Sequence, residues 1–528
     1  MFNQTDTTTL GTKIVRNVLF SGVRLVVLAP LPFILVPYFL RKLGTSGYGT
    51  WAVFMAVSGL TSAADFGLVT TLSKHVAEFY ALKDFRALNQ VVNTGFVVYA
   101  GIAGVLTALL WAGSGFVIPA LFRTSALSRM ELANIWRYLL AMIVANALTL
   151  LFSSIAIGLQ RMDLSTILTS MNVLLSAAFA ILFLHLNWGV LGVVRAYTLA
   201  AWITTFFYAR LVHRIVPEIR PALRDCKWSM TKEIFSFSTQ TYMTQIAVAI
   251  HNQIEKVYLA RFTGVIAVGW YDISSDLAVK LRAIPGLVLG PMMPAASELN
   301  ALNSENRLAD LYFRTHKYLA WIGVPFLVYV VFISKHFVQL WIGPNLVFLA
   351  TPLSVLLIVN FLNLLTGPGL LTLIGTGKLK PGLHSAFVGI ALNVTLSFFL
   401  IRTYGFHGAV LGTSLSLMIA SGFFLYQFWK ETGKRFAGMM RRAYLKPTMC
   451  AVLAVAVLQL FTLRATLSWG TLVLEGVGFA LTYTVLLLLT RFFDTFDLAL
   501  AERFVPVPAV ARRIISDAKL GRPIFPHS

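Results

Sequence analysis

Long apolar runs separated by short polar breaks recur along nearly the whole chain. Each run approaches the ~20 residues that carry a helix across a bilayer. The pattern predicts spans at about 15–40, 47–72, 90–112, 134–158, 164–186, 188–212, 233–259, 265–294, 316–334, 346–373, 383–401, 406–429, 447–463 and 470–490. The expected fold class is therefore an all-α polytopic membrane protein with about 14 transmembrane helices. The first twelve residues are polar and no small-residue cleavage site follows them, so no removable signal peptide is expected.

The apolar pattern also repeats itself. "YFLRKLG" at 38–44 returns as "YLARFTG" at 258–264, aligning Tyr38 with Tyr258, Arg41 with Arg261 and Gly44 with Gly264 at an offset of 220. "GLV" at 67–69 returns at 286–288, "IGLQRM" at 157–162 as "IGTGKL" at 374–379, and "GVLGVV" at 189–194 as "GFHGAV" at 405–410. Four short matches in one order at nearly one offset point to an internal duplication. They divide the chain into a six-helix bundle over 1–225, a second over 226–430, an added helix pair over 431–490 and a basic tail over 491–528. Six is even, so both halves enter the membrane from the same side. Their expected relation is a parallel pseudo-two-fold, with a path for substrate between them.

Composition sharpens this picture. Of 528 residues, 57% are hydrophobic and 12% charged, with mean hydropathy +0.76, about half the charge of a soluble chain. The formal net charge of +22 would suit nucleic acid, but its distribution argues against that partner. With span-end residues counted to the nearer side, 29 of the 43 Lys and Arg fall on one face, 10 on the other and 4 inside the spans. The heaviest segments are 210–227 and 430–446. This bias places both termini in the cytoplasm and favours contact with anionic membrane lipids. Cys226 and Cys450 suggest neither a disulfide framework nor a metal site. No G-x-x-x-x-G-K-[ST] phosphate loop is present, and no cofactor is expected.

Charged groups inside apolar spans are costly, so they face a wet cavity or a partner. Arg24 lies near the middle of the first span, Arg195 in the sixth, and Lys280 and Arg282 in the eighth. Asp272, Asp276 and Lys280 are spaced i, i+4, i+8 and share one helix face. Lys280 and Arg282 cannot share a face, which leaves Lys280 with Asp276 and sends Arg282 toward another wall. In the seventh span Ser238, Thr241, Gln245, Asn252 and Glu255 fall within about 100° of one another, as expected of a helix lining water. Arg24, Lys280 and Arg282, with Gln245 and Asn252, are the candidate substrate-binding residues. The cations suit phosphate oxygens. Asp65, Glu255, Asp272 and Asp276 are the candidate proton or cation sites. No paired-carboxylate, metal or nucleophile constellation appears, which disfavours an enzyme.

The stretch "FLRKLGTSGYGTWAVFMAVSGLTSAADFGLVTTLSKHVAEF" (39–79) resembles the first hairpin of the Wzx-type polysaccharide flippases. Their superfamily also holds the peptidoglycan lipid flippases and the multidrug and toxin extruders. The shared elements are Leu-Gly before a short outer turn, Tyr-Gly-x-Trp opening the second span, and Asp65-x-Gly67-Leu68 at its inner end. "NQIEKVYLARFTGVIAVGWYDISSDLA" (252–278) also fits, with Glu255 where such families often carry Asp. The resemblance covers about residues 12–490. It implies a flippase moving a polyprenyl-diphosphate-linked oligosaccharide across the inner membrane by alternating access, with a polysaccharide polymerase as a further partner. The alternative within the superfamily is an ion-coupled multidrug exporter, against which three central cations count.

Overall fold

The computed structural model describes residues 30–61, 68–219, 249–433, 436–462, 467–494 and 496–497, with Leu28 and Ile246. Among the described residues there is no strand. In chain order the helices are α1 (Leu31–Thr61), α2 (Leu68–Ala81), α3 (Phe85–Ala112), α4 (Ser114–Leu121), α5 (Arg129–Gly158), α6 (Met162–His185), α7 (Gly189–Ile215), α8 (249–262), α9 (Val265–Gly286), α10 (Met292–Ala301), α11 (Glu305–Ile342), α12 (Ala350–Leu364), α13 (Gly367–Gly375), α14 (Lys380–Thr432), α15 (Phe436–Ala443), α16 (Leu445–Thr462) and α17 (Trp469–Leu489). Eight segments among the described residues are long and apolar enough to cross a membrane.

Local chemistry sets several boundaries. Asp84 caps α3 by accepting from the Ala87 N–H at 2.9 Å. Ser128 and Glu131 form a reciprocal capping box at the start of α5, and Ser468 and Thr471 do the same for α17. Two apolar spans join into α14 because Gly405, at φ 55°, turns the backbone without ending the helical run. The span expected over 265–294 is instead divided. Pro285 lies in the last turn of α9, a 3-10 turn covers Leu287–Leu289, and Pro291 precedes α10.

The chain forms two compact units, Met1–Asp272 with Ser397–Ala409, and Ile273–Leu396 with Val410–Ser528. In the first, Leu68, Leu72 and Val76 of α2 pack with Leu88 and Val91 of α3 and Leu151 and Ile155 of α5. Gly158 permits the α5–α2 crossing: a Cβ there would sit 2.6 Å from the Ser73 carbonyl oxygen and 2.8 Å from Val76. Thr198 and Thr205 of α7 donate to the Tyr138 and Ala145 carbonyls of α5 at 3.1 and 3.0 Å, so polar contacts as well as packing hold these helices together.

In the second unit, Leu319 and Val324 of α11 pack with Phe361 and Leu364 of α12 and with Cys450, Ala454, Phe479 and Tyr483 of the terminal pair α16–α17. Gly375 of α13 meets α10 closely, its Cβ position 2.8 Å from Ala296 and 3.0 Å from the Met293 carbonyl oxygen. Residues 492–494 and 496–497 dock on α11: Lys317 pairs with Asp497 and, at 3.0 Å, with Asp494, while the Tyr318 hydroxyl donates to Asp497 at 2.8 Å. Arg314 stacks on Phe496 at 3.8 Å. Burial alone would raise the Asp494 carboxyl, but the Asp497 backbone N–H, Lys317 and Arg314 together hold it below the ordinary range.

Matching backbone devices recur along the chain. Gly44 and Gly264 have φ of 67° and 114°, Lys83 and Asn303 57° and 51°, Gln160 and Gly377 58° and 77°, and Gly189 and Gly405 57° and 55°. The separations are 220, 220, 217 and 216 residues, the offsets of the sequence repeat. The tight crossings correspond too, since Ser73, Val76 and Gly158 align with Met293, Ala296 and Gly375.

Candidate functional site

The site is built around α9, which carries two of the four candidate carboxylates, Asp272 and Asp276, and two of the three candidate cations, Lys280 and Arg282. Its start is fixed by the turn at Gly264 and by Thr124, whose hydroxyl oxygen accepts from the Val265 N–H at 3.0 Å. Here α9 meets α1 at a separation that only glycine allows. A Cβ on Gly49 would lie 1.8 Å from the Val265 carbonyl oxygen, and one on Gly269 would lie 3.2 Å from the Gly49 Cα.

Over this glycine crossing sits a buried polar triad. The Tyr48 hydroxyl donates to Asp272 Oδ2 at 2.8 Å. Lys256 Nζ, from α8, lies 2.6 Å from Asp272 Oδ1, and both side chains are only 12% exposed. Each carboxylate oxygen therefore has a donor, which is what makes a buried charge tolerable. Sequence spacing put Asp272 on one face with Asp276 and Lys280, whereas the structure covers Asp272 with α1 and leaves the other two open.

One turn further along, Lys280 pairs with Asp276, with side chains 40% and 48% exposed. Arg282 turns away from that pair and donates to Asn360 Oδ1 of α12 at 3.3 Å. Glu255 is fully buried in α8 and accepts from Ser397 Oγ at 3.5 Å, while Asn252 on the same helix is exposed. Arg195 is enclosed by aromatic rings, 5.0 Å from the Tyr138 centroid and 5.4 Å from that of Trp188. Arg24, Asp65 and Gln245, with Ser238 and Thr241, lie outside the described residues.

Sequence reasoning missed Lys256 and met Tyr48 only as part of the Tyr-Gly-x-Trp element. The signal for Lys256 was present, since a cation within an apolar span needs a partner. Its partner stands sixteen residues further on, across the turn at Gly264.

The sequence profile of a family described as "Polysaccharide biosynthesis protein" matches residues 14–299. The chain belongs to that family. It is a multi-pass membrane protein. It is 20% identical over 388 residues to a putative O-antigen transporter of Shigella flexneri, covering 72% of this chain and 89% of that one. It is 25% identical over 193 residues to an uncharacterized membrane protein in the cps region of Klebsiella pneumoniae, covering 36% of this chain and 39% of the relative. Among solved structures the fold is similar to that of the lipid II flippase MurJ in an inward closed conformation. The TM-score is 0.61 at 14% identity, over 86% of this chain and 97% of that one.

Proposed function

We propose that the protein is a flippase that moves a polyprenyl-diphosphate-linked oligosaccharide across the cytoplasmic membrane. Membership of the polysaccharide biosynthesis family, with likeness to an O-antigen transporter over most of both chains, carries this reading. The substrate has an anionic head, a polar glycan and a long apolar tail. Passage requires cations in a wet path for the diphosphate while the tail stays in lipid. Arg24, Lys280 and Arg282 supply those cations, and Gln245 and Asn252 supply amide groups for the glycan. The openness of Lys280 beside Asp276 supports its role. Asp65, Glu255, Asp272 and Asp276 are the proposed groups for coupling to an ion gradient.

In the same proposal, fourteen spans form two six-helix halves, 1–225 and 226–430, related by a parallel pseudo-two-fold, followed by the pair in 431–490 and a cytoplasmic tail over 491–528. The matched positive-φ positions support this duplication. So does the meeting of Gly49 with Gly269, which align at an offset of 220, because symmetry-equivalent residues touch at an axis. Each cycle opens the path to one side at a time, and a polysaccharide polymerase takes the product.

The experiment is a translocation assay with a lipid-linked oligosaccharide in proteoliposomes, comparing Arg24→Ala, Lys280→Ala and Arg282→Ala at matched protein content. Loss of transport with normal insertion is expected for each. Wild-type rates in all three would overturn the assignment of the anion path.

A further inference from the structure

The contacts at the start of α9 differ in kind from those elsewhere in the first unit. Other described crossings in that unit pair apolar surfaces with hydroxyl and amide bonds, such as Thr198 and Thr205 to carbonyls and Asn172 to Thr204. At α1, α8 and α9 a glycine-to-glycine crossing lies beside a buried ion pair and a buried tyrosine hydroxyl. The connection between α4 and α5 adds two bonds, Thr124 to the Val265 N–H and Ser125 to Thr50 at 3.0 Å. Three chain segments far apart in sequence thus converge on the end of α9 that the charge bias assigns to the outside.

The glycine crossing and the triad obey different symmetry. Gly49 and Gly269 are equivalent in the 220-residue register, so the crossing belongs to the duplication itself. In the same register Asp272 corresponds to Ala52 and Lys256 to Val36. The triad is therefore an addition made in one repeat only, laid across a joint that the duplication already closes. Tyr48 crosses directly over Gly269 to reach it: a Cβ on Gly269 would be 3.2 Å from Tyr48 Cδ1.

We propose that Tyr48, Lys256 and Asp272 are a latch that holds the outer ends of α1, α8 and α9 together and sets the population of the outward-open state. The proposal rests on the flippase reading for its place in a transport cycle. A buried ion pair suits a joint that must close and release. Its Coulombic gain is largely offset by desolvation, so it fixes geometry without adding great stability, and water solvates both partners again on opening. The glycines permit close approach but do not specify one register. The Tyr48 hydroxyl and the Lys256 ammonium, each on its own oxygen of Asp272, do specify it. Tyr48 and Lys256 are positioning residues, acting on access to the path and not on the substrate, and through Asp272 the latch is tied to the proposed ion coupling.

The test is a distance measurement between nitroxides at Thr45→Cys and Arg261→Cys, in a background carrying Cys226→Ser and Cys450→Ala, in proteoliposomes. The unaltered latch is expected to give a dominant short-distance population. Tyr48→Phe keeps the ring over Gly269 and removes one hydrogen bond to a charged group, so the open-to-closed ratio should rise about tenfold. The double variant Lys256→Gln with Asp272→Asn retains a neutral hydrogen-bonded pair, so it tests the charge while avoiding an unpaired buried ion. It should also shift toward longer distances. Distance distributions unchanged in both variants, at normal membrane abundance, would overturn the latch. Translocation of lipid-linked oligosaccharide is measured on the same samples. Shifted distances with no translocation by the unaltered protein would leave the latch standing and overturn the flippase reading.

Discussion

Lys280 illustrates how exposure separates a structural charge from a functional one. Its pair with Asp276 lies one turn apart on α9, and both side chains are nearly half exposed. Such pairs contribute only about 0–1 kcal/mol to stability, so removing Lys280 should leave folding almost unchanged. If Lys280 binds a substrate phosphate, Lys280→Ala should weaken that interaction by about 1.5–3 kcal/mol, read as loss of translocation at matched abundance. Exchanging the two, Asp276→Lys with Lys280→Asp, keeps the pair but moves the cation by a turn. Transport should fail in the exchange variant while its thermal unfolding stays near wild type. Wild-type transport in that variant would make the pair purely structural. Arg282 is different, because its guanidinium is held by Asn360. Arg282→Lys should disturb that contact, since an ammonium lacks the planar donor fork.

At the scale of helices, small residues decide where elements cross. Gly158→Leu would drive a side chain into the Ser73 carbonyl and Val76, and overpacking of this kind costs about 1–3 kcal/mol. Lower thermal stability is the expected readout, with the same sign at Gly375→Leu. Residues 492–494 and 496–497 offer a pH-dependent contact. Because Asp494 is held below its ordinary range in the folded chain, its contribution is complete above the unfolded carboxylate value near ~4. It is lost as pH falls further through the folded value. A nitroxide at Phe496→Cys should therefore become more mobile as pH falls below about 4, and Asp494→Asn should abolish that transition. The all-helical membrane character was legible in the sequence because it depends on a local signal, apolar runs of bilayer length. The triad was not. Tyr48 and Asp272 are 224 residues apart, and four-residue spacing places Asp272 on a face without telling which part of that face another helix covers. The division of the 265–294 span was half visible, since Pro285 and Pro291 stand in the sequence while the apolar run continues through them.

For the whole molecule, orientation follows from where cations accumulate. Of the 43 Lys and Arg, 29 fall on the face that includes the segments 210–227 and 430–446, and positively charged connections are retained in the cytoplasm. In the proposed fourteen-span scheme the C-terminus returns to the face of the N-terminus. In the proposed scheme the same parity makes the two halves parallel, and the matched positive-φ positions, such as Gly44 with Gly264 and Lys83 with Asn303, support their duplication. In that scheme the connection holding α4 lies on the opposite face. It and the first turn of α5 expose Phe116 and Met130 at 80% and 77%, with Arg123 and Arg129 also exposed, a mixture suited to an interface with water on one side. Reporter tags after Ser528 and within 214–231 should both be cytoplasmic. A cysteine at Arg123→Cys, in a chain without Cys226 and Cys450, should react from outside intact cells with a membrane-impermeant maleimide, and Lys83→Cys should not. An external tag at Ser528 would make the span number odd. Labelling of Lys83→Cys from outside would place the helix pair α2–α3 the wrong way round. Either result would remove the parallel duplication, and with it the reason for the two equivalent glycines, Gly49 and Gly269, to meet across one joint.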